Sequence, residues 1–324
     1  MGTIIKAFKF EPFLKSVLWG GEKIAPYKGL NTNQQKIGES WEISSVEGHE
    51  SIVAEGPDKG LTLVEIIDKY KGDLVGEKIY EKYGNVFPLL VKIIDAKQDL
   101  SIQVHPDDKL ARERGSQFGK TEMWYIIDAE KEAKIGDGFS KKISASDYEK
   151  LIADGAIMDV ISQYDAHNGD AFFIPAGRIH SIGGGTLLAE IQQTSDTTYR
   201  VFDFNRTDSM GKKRELHTEQ AKDAIDYNVY DDCVIPCSEK IEGEKELVKC
   251  SYFDVKRIIV KDKYEIKSER KDSFRILMCL GGTATVTDNN GNVTEMRRGE
   301  TVLVPAIVNK LILTGDAEML SATV

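Results

Sequence analysis

The segment Leu100-Ser101-Ile102-Gln103-Val104-His105-Pro106 carries residues suited to chemistry. In an extended strand alternate side chains share a face, so Ser101, Gln103 and His105 point one way and Leu100, Ile102 and Val104 the other. Pro106 cannot continue a central strand, which leaves His105 at the mouth of whatever the strand lines. An amide and an imidazole two residues apart at a strand end are half of a metal or proton-transfer site. The same pair also suits the wetted face of a sheet, so partners must come from elsewhere in the chain. Lys92 is a second candidate, a cation inside an apolar run over 87–94. Such a lysine either snorkels to the surface or faces a site and attracts a phosphate.

The elements that must position these residues read as mostly β. Strands are expected over 4–10, 39–45, 49–54, 87–94 and 121–127, the last with Glu122 near its start. Helical spacing runs over 61–83, opened by a Thr62–Glu65 capping box and broken at Gly72. A short helix is expected over 107–115, with Asp107 and Asp108 as its N-terminal charges. Residues 140–165 read as a helical insertion with a second capping box, Ser146–Glu149. Residues 169–180 are strand, turn and strand, followed by strands over 186–193 and 199–204. A helix is expected over 215–227, a polar linker over 233–249, and from Cys250 only short strands, with Asn290-Gly291 as a tight hairpin. Gly183-Gly184-Gly185 lacks the Lys and Ser/Thr of a phosphate-binding loop. His49, His167 and His217 stand outside any motif and are expected on the surface or at caps.

Bulk properties narrow the class. The 324 residues suit one large domain or two smaller ones, and 41% hydrophobic residues supply a core. A formal net charge of −10 speaks against a nucleic-acid partner but allows a local basic cluster to grip a small anion. No run approaches the roughly 18 apolar residues of a membrane span, and the first residues lack a signal-peptide core. The four cysteines, Cys233, Cys237, Cys250 and Cys279, form no C-x-x-C pair, so reduced thiols in a cytoplasmic protein are expected, with a zinc site on Cys233 and Cys237 as a minor alternative.

A repeat links the two ends. Gly169-x5-Pro175-Ala176 recurs as Gly299-x5-Pro305-Ala306; Gly177 and His180 follow the first copy, Ile307 and Lys310 the second. Two related β-units follow, with chemistry expected only in the first.

The Gly-x5-Pro-x-Gly-x2-His run and the Gln103–His105 segment with Glu122 resemble the two motifs of the cupin superfamily, with Gln103 where many cupins have a histidine. Together with Trp19-Gly20-Gly21, Gly38-Glu39-Ser40-Trp41-Glu42, Gly119-Lys120-Thr121-Glu122-Met123-Trp124-Tyr125 and Pro175–His180, they resemble the type I mannose-6-phosphate isomerases, in the short bacterial form. The resemblance implies a mainly β fold of two cupin-type jelly-roll barrels, with helical insertions in a catalytic half over 1–240 and a degenerate cupin over 241–324. It implies one zinc ion per chain on Gln103, His105, Glu122 and His180, an N/O donor set with no thiolate. Two imidazoles and a carboxylate also describe a non-haem iron site, which the Gln and the surrounding basic residues argue against. The reaction implied is interconversion of D-mannose 6-phosphate and D-fructose 6-phosphate, a proton transfer through an enediol. Arg200 then stabilises the oxyanion or holds the phosphate, and the competing reading pairs it with Asp196 or Asp203. Glu190 and Lys120 compete as the proton-transfer group. Ser101, Lys92 and Arg206 match positions around the phosphate. A cupin-type glucose-6-phosphate isomerase and a non-catalytic sugar-phosphate sensor are the alternatives. A monomer or weak homodimer, with no nucleic-acid or membrane partner, completes the expectation.

Overall fold

A computed structural model of the chain describes residues 5–207, 210–231, 233–267 and 272–324. The expected strand over 4–10 begins outside them; Phe8–Glu11 is its described part. The fold is mainly β, in three antiparallel sheets. The first sheet is ordered Val234–Ile235, Ala171–Ile174, Glu122–Ala129, Thr186–Gln193, Leu89–Ala96, Phe13–Gly21 and Ile37–Ile43. The second is ordered Tyr199–Phe202, Ile102–Val104, His180–Ile182, Lys134–Phe139 and Ile161–Asp165. Trp124, Phe172 and Leu188 of the first sheet share one buried cluster with Ile135 and Ile182 of the second, so the two sheets form a sandwich. The third sheet is built on the long strands Asp254–Lys267, Arg275–Asp288 and Lys310–Thr323. Each sheet runs from one edge to another, so the cupin-type halves are not closed barrels. Strands as short as Ile102–Val104 and His180–Ile182 offer few ladder bonds with which to bridge the sheets.

The repeat is structural. Gly169 and Gly299 both adopt positive φ, 92° and 83°, and both copies close a turn in which the N–H of Arg178 or Val308 donates to the carbonyl of Pro175 or Pro305 at 3.0 Å. The Asn290-Gly291 hairpin is present, with Gly291 at φ 81° and Asp288 N–H donating to Asn292 O at 3.0 Å.

The helical segments are shorter than their periodicity suggests. Thr62 and Glu65 form the expected capping box, but the run divides into Leu63–Tyr70, Gly72–Val75 and Glu77–Tyr83. Gly76 sits at φ 101°, where a Cβ would meet Asp272 O at 2.2 Å, so the second break comes from a close backbone approach. The second capping box is Ser144–Asp147 rather than Ser146–Glu149: Ser144 is extended at ψ 169° and Ser146 lies inside the first turn. Glu149 instead pairs with Lys222. The insertion ends as a short 3-10 turn and the strand Ile161–Asp165, because Gly155 at φ 68° follows the helix Ala145–Ala153. The polar linker contains two strands, Val234–Ile235 and Gly243–Lys249, and buries Cys237. Across the division expected at residue 240, Phe8–Glu11 pairs with Thr301–Val304 and so completes the third sheet.

A buried ion pair ties these parts together. Lys28 Nζ donates to both oxygens of Glu42, at 2.8 and 2.7 Å, and to Gly299 O at 2.5 Å, while Ser40 Oγ donates to Glu42 at 2.6 Å. Both charged side chains are 5% exposed. Removing one partner strands the other charge in low dielectric. Lys28→Met is therefore expected to cost about 3–5 kcal/mol in urea unfolding, and Lys28→Met with Glu42→Leu to recover most of it. Equal loss in the single and double variants would show that the pair does not act as a unit.

Candidate active site

Two cross-strand rows build the site. In the second sheet Arg200, Gln103, His180 and Asp137 stand opposite one another on adjacent strands. In the first sheet Trp41, Lys92, Glu190 and Trp124 do the same. Because directly opposed residues in a ladder point to the same face, each row projects as a unit. Glu122 joins from the start of its strand, opposite Ile174 and Gln192.

His105, Glu122 and His180 converge, with one ligand atom from each within 4.8 Å of the others and all three buried. The outer nitrogen of each imidazole is held by a carbonyl: His105 Nδ1 donates to Thr197 O at 2.9 Å and His180 Nδ1 to Arg178 O at 2.8 Å. That tautomer turns both Nε2 lone pairs toward Glu122, at 3.6 and 3.4 Å. Burial, with Lys120 and His180 adding to it, holds His105 well below the usual imidazole range. Burial likewise lowers His180 to about 3, so both rings are neutral, as a ligand requires. Glu122 is pushed up to about 7, by burial first and by Glu190, with Lys120 opposing.

Glu122 Oε1 is buried without a hydrogen-bond partner, an orphan that calls for a cation. Lys120 Nζ already answers part of that call, 2.7 Å from Glu122 Oε2 and 3.0 Å from His105 Nε2. The donor set therefore fits a metal ion. Gln103 lies beside it, but its Nε2 donates to His180 Nε2 at 3.2 Å, and its Oε1 accepts from Ser101 Oγ at 3.4 Å. The expected ligand oxygen faces Ser101; rotating the amide exchanges the two atoms.

A cavity of about 370 Å³ opens next to the cluster, lined by Lys92, Ser101, Gln103, Lys120, Glu190 and Arg200 among others. Its volume is that of a small-ligand site. Lys92 is buried within 3.0 Å of Glu190 Oε2 and 3.8 Å of Glu39 Oε2. Burial opposes its charge, yet Glu190 and Glu39 more than offset this and hold it above the ordinary lysine value. Burial would raise Glu190, but Lys92 and Lys120 outweigh it and bring Glu190 to about 2. With Trp124 Nε1 donating to Oε1 at 3.0 Å, Glu190 is a committed anion.

Arg200 is half-buried; burial and Arg214 lower its pKa, and Asp203 opposes them. It is not paired with Asp196 or Asp203. Asp203 is taken by Arg206 and Arg214, and Arg200 gives one donor to Glu215 O at 2.8 Å while its Nε has no partner. The backbone of Arg200 is clamped by His217, whose N–H donates to Arg200 O at 2.7 Å and whose Nδ1 accepts from Arg200 N–H at 3.3 Å.

Arg206, expected near the phosphate, is not among the lining residues; it bonds Asp203 and Asp99 O, and Arg214 lines the cavity in its place. Lys15, Trp19, Glu39 and Trp41 also line it. The alternation of Ile37–Ile43 could have found two of them, since Glu39 and Trp41 share the face opposite Ser40 and Glu42. Arg214 follows a loop and has no periodic signal. Among the described residues no cysteine joins a metal cluster: Cys233 accepts from Arg178 at 3.3 Å and Cys237 is in the core.

Comparisons with known proteins agree on one family. The model for phosphomannose isomerase type I, catalytic domain, matches residues 7–136, and that for the mannose-6-phosphate isomerase cupin domain matches 243–324. The chain is 33% identical to mannose-6-phosphate isomerase ManA of Bacillus subtilis over 95% of this chain and 96% of that one. It is 32% identical to the mannose-6-phosphate isomerase of Streptococcus mutans over 94% of each. A crystal structure of the mannose 6-phosphate isomerase from Bacillus subtilis superposes with a TM-score of 0.88, at 30% identity, covering 99% of this chain and 100% of that one.

Proposed function

The chain belongs to the type I phosphomannose isomerase family, and from that premise we propose that it interconverts D-mannose 6-phosphate and D-fructose 6-phosphate through an enediol in the cavity beside His105, Glu122 and His180. The observation that carries this reading is a cavity lined by five cations, Lys15, Lys92, Lys120, Arg200 and Arg214, whose Lys120 and Gln103 in turn contact a buried cluster of neutral imidazoles and an orphan carboxylate oxygen. His105, Glu122 and His180 would hold one zinc ion, with Gln103 as a fourth ligand through its amide oxygen. Such an ion would polarise a sugar oxygen.

The roles of this chain's residues follow from where their charges are committed. Glu190 is bound to Lys92 and Trp124 and has too low a pKa to act as base, so it serves to hold the Lys92 cation in place. The proton between the two carbons is assigned to Lys120 Nζ, which lines the cavity and touches the cluster. Arg200, with its free Nε, stabilises the oxyanion or orients the phosphate. Ser101 and Arg214 suit the phosphate by position and donor type. A cytoplasmic location belongs to the same reading and is supported by four free cysteines.

Assays of purified protein with mannose 6-phosphate and glucose 6-phosphate test the substrate. Turnover of glucose 6-phosphate alone favours the glucose-phosphate reading, and tight binding without turnover favours a sensor. Metal binding should also be pH-dependent. With Glu122 near 7 and His180 near 3, one proton competes for the cluster below neutrality. Apparent zinc affinity is therefore expected to fall about tenfold per pH unit from pH 7 to pH 5. A flat profile in chelator competition would remove Glu122 from the ligand set.

A further inference from the structure

Strand register allows the two copies of the repeat to be compared residue by residue. Ile174, just before Pro175, stands opposite Glu122; Val304, just before Pro305, stands opposite Arg275. Glu190 stands opposite Trp124 and Lys92; Ser321 stands opposite Leu277 and Lys256. His180, five residues after Pro175, faces Gln103; Lys310, five after Pro305, faces Lys267. The C-terminal copy thus has Arg275 for Glu122, Lys310 for His180, Lys267 for Gln103 and Ser321 for Glu190, and retains Lys92 as Lys256. Positions that present a carboxylate, an imidazole and an amide in one copy present three cations in the other.

The equivalent space has not been filled. A cavity of about 330 Å³ with polar walls remains, lined by Asp254, Lys256, Lys267, Arg275 and Ser321 among others. Its lysines are engaged, Lys256 with Glu244 at 2.6 Å and Lys267 with Glu265 at 3.0 Å. Arg275 is different. Its NH1 donates to Ser321 Oγ at 2.6 Å, while Glu244 and Asp254 act on it through space. Among the described residues it is the cation of this cavity that no carboxylate approaches within ion-pair distance, and most of its guanidinium donors are unused. Asp254 Oδ1, also lining the cavity, is buried without a partner. Unused guanidinium donors match a phosphate or carboxylate, and an orphan carboxylate oxygen beside them matches a hydroxyl.

We propose that this cavity in the C-terminal half is a second ligand site, binding a small hydroxylated anion with its phosphate or carboxylate on Arg275 and a hydroxyl donating to Asp254. The proposal stands on the register and the cavity, independently of the isomerase assignment. Calorimetric titration of the full chain with inorganic phosphate, glucitol 6-phosphate (which has no carbonyl to isomerise) and citrate tests it. At least one probe is expected to bind at a site that Arg275→Gln weakens tenfold or more, with mannose 6-phosphate turnover within twofold of wild type. Preference for the two phosphates identifies a phosphate ligand, and preference for citrate a carboxylate. Identical titrations of wild type and Arg275→Gln with all three probes overturn the proposal. Wild-type crystals grown with the tightest probe give a reading independent of whether the variant folds: ligand density on Arg275 supports the site, and density confined to the first cavity overturns it.

Discussion

Protein stripped by a strong chelator is expected to convert mannose 6-phosphate at less than about one-thousandth of its untreated rate, and added zinc to restore the activity. The size of the effect follows from the site. His105 and His180 are neutral, with their outer nitrogens fixed by Thr197 and Arg178 carbonyls, and Glu122 has an oxygen that nothing in the protein satisfies. Three buried donors held this way offer little to a sugar oxygen by themselves, since two are lone pairs and the third is an anion. His180→Ala should lower both zinc content and turnover, because it removes one of three converging atoms. Full activity in protein shown to be free of metal would refute the mechanism.

The second large effect is expected at Arg200. Arg200→Ala should lower kcat about 10²–10³-fold, the equivalent of about 2.7–4 kcal/mol for one oxyanion-stabilising donor, with bound zinc unchanged. Arg200 keeps a donor free only because Asp203 is occupied by Arg206 and Arg214, and His217 clamps its backbone. Arg200→Lys should recover only part of the loss, since an ammonium cannot reproduce the planar fork. If zinc is lost along with activity, Arg200 acts instead through Gln103, its neighbour across the strand pair.

Glu190 and Lys120 are both buried and both line the cavity, so composition cannot rank them. Their neighbours differ. Glu190 is neutralised by a lysine across the ladder and by an indole N–H, whereas Lys120 faces the carboxylate and imidazole of the cluster.

Much of this was legible in residue order because strand periodicity is a local property. Alternation put Gln103 and His105 on one face, the Gly-Pro-Gly turn set up His180, and Thr62 and Glu65 marked a helix start. Local rules failed where a neighbour distant in sequence decided the outcome. Backbone pressing on Gly76 divided a helix that periodicity alone would join. Arg206 bonds Asp203 and the Asp99 carbonyl, while Arg214, which residue order does not single out, lines the cavity. Sequence by itself determined the mainly β class and the two-copy plan, because each rests on spacing within a strand or turn, whereas the grouping of His105, Glu122 and His180 came from the family resemblance. Tertiary structure decided which charges stay available, because every buried carboxylate can satisfy only the cations that the fold brings within reach.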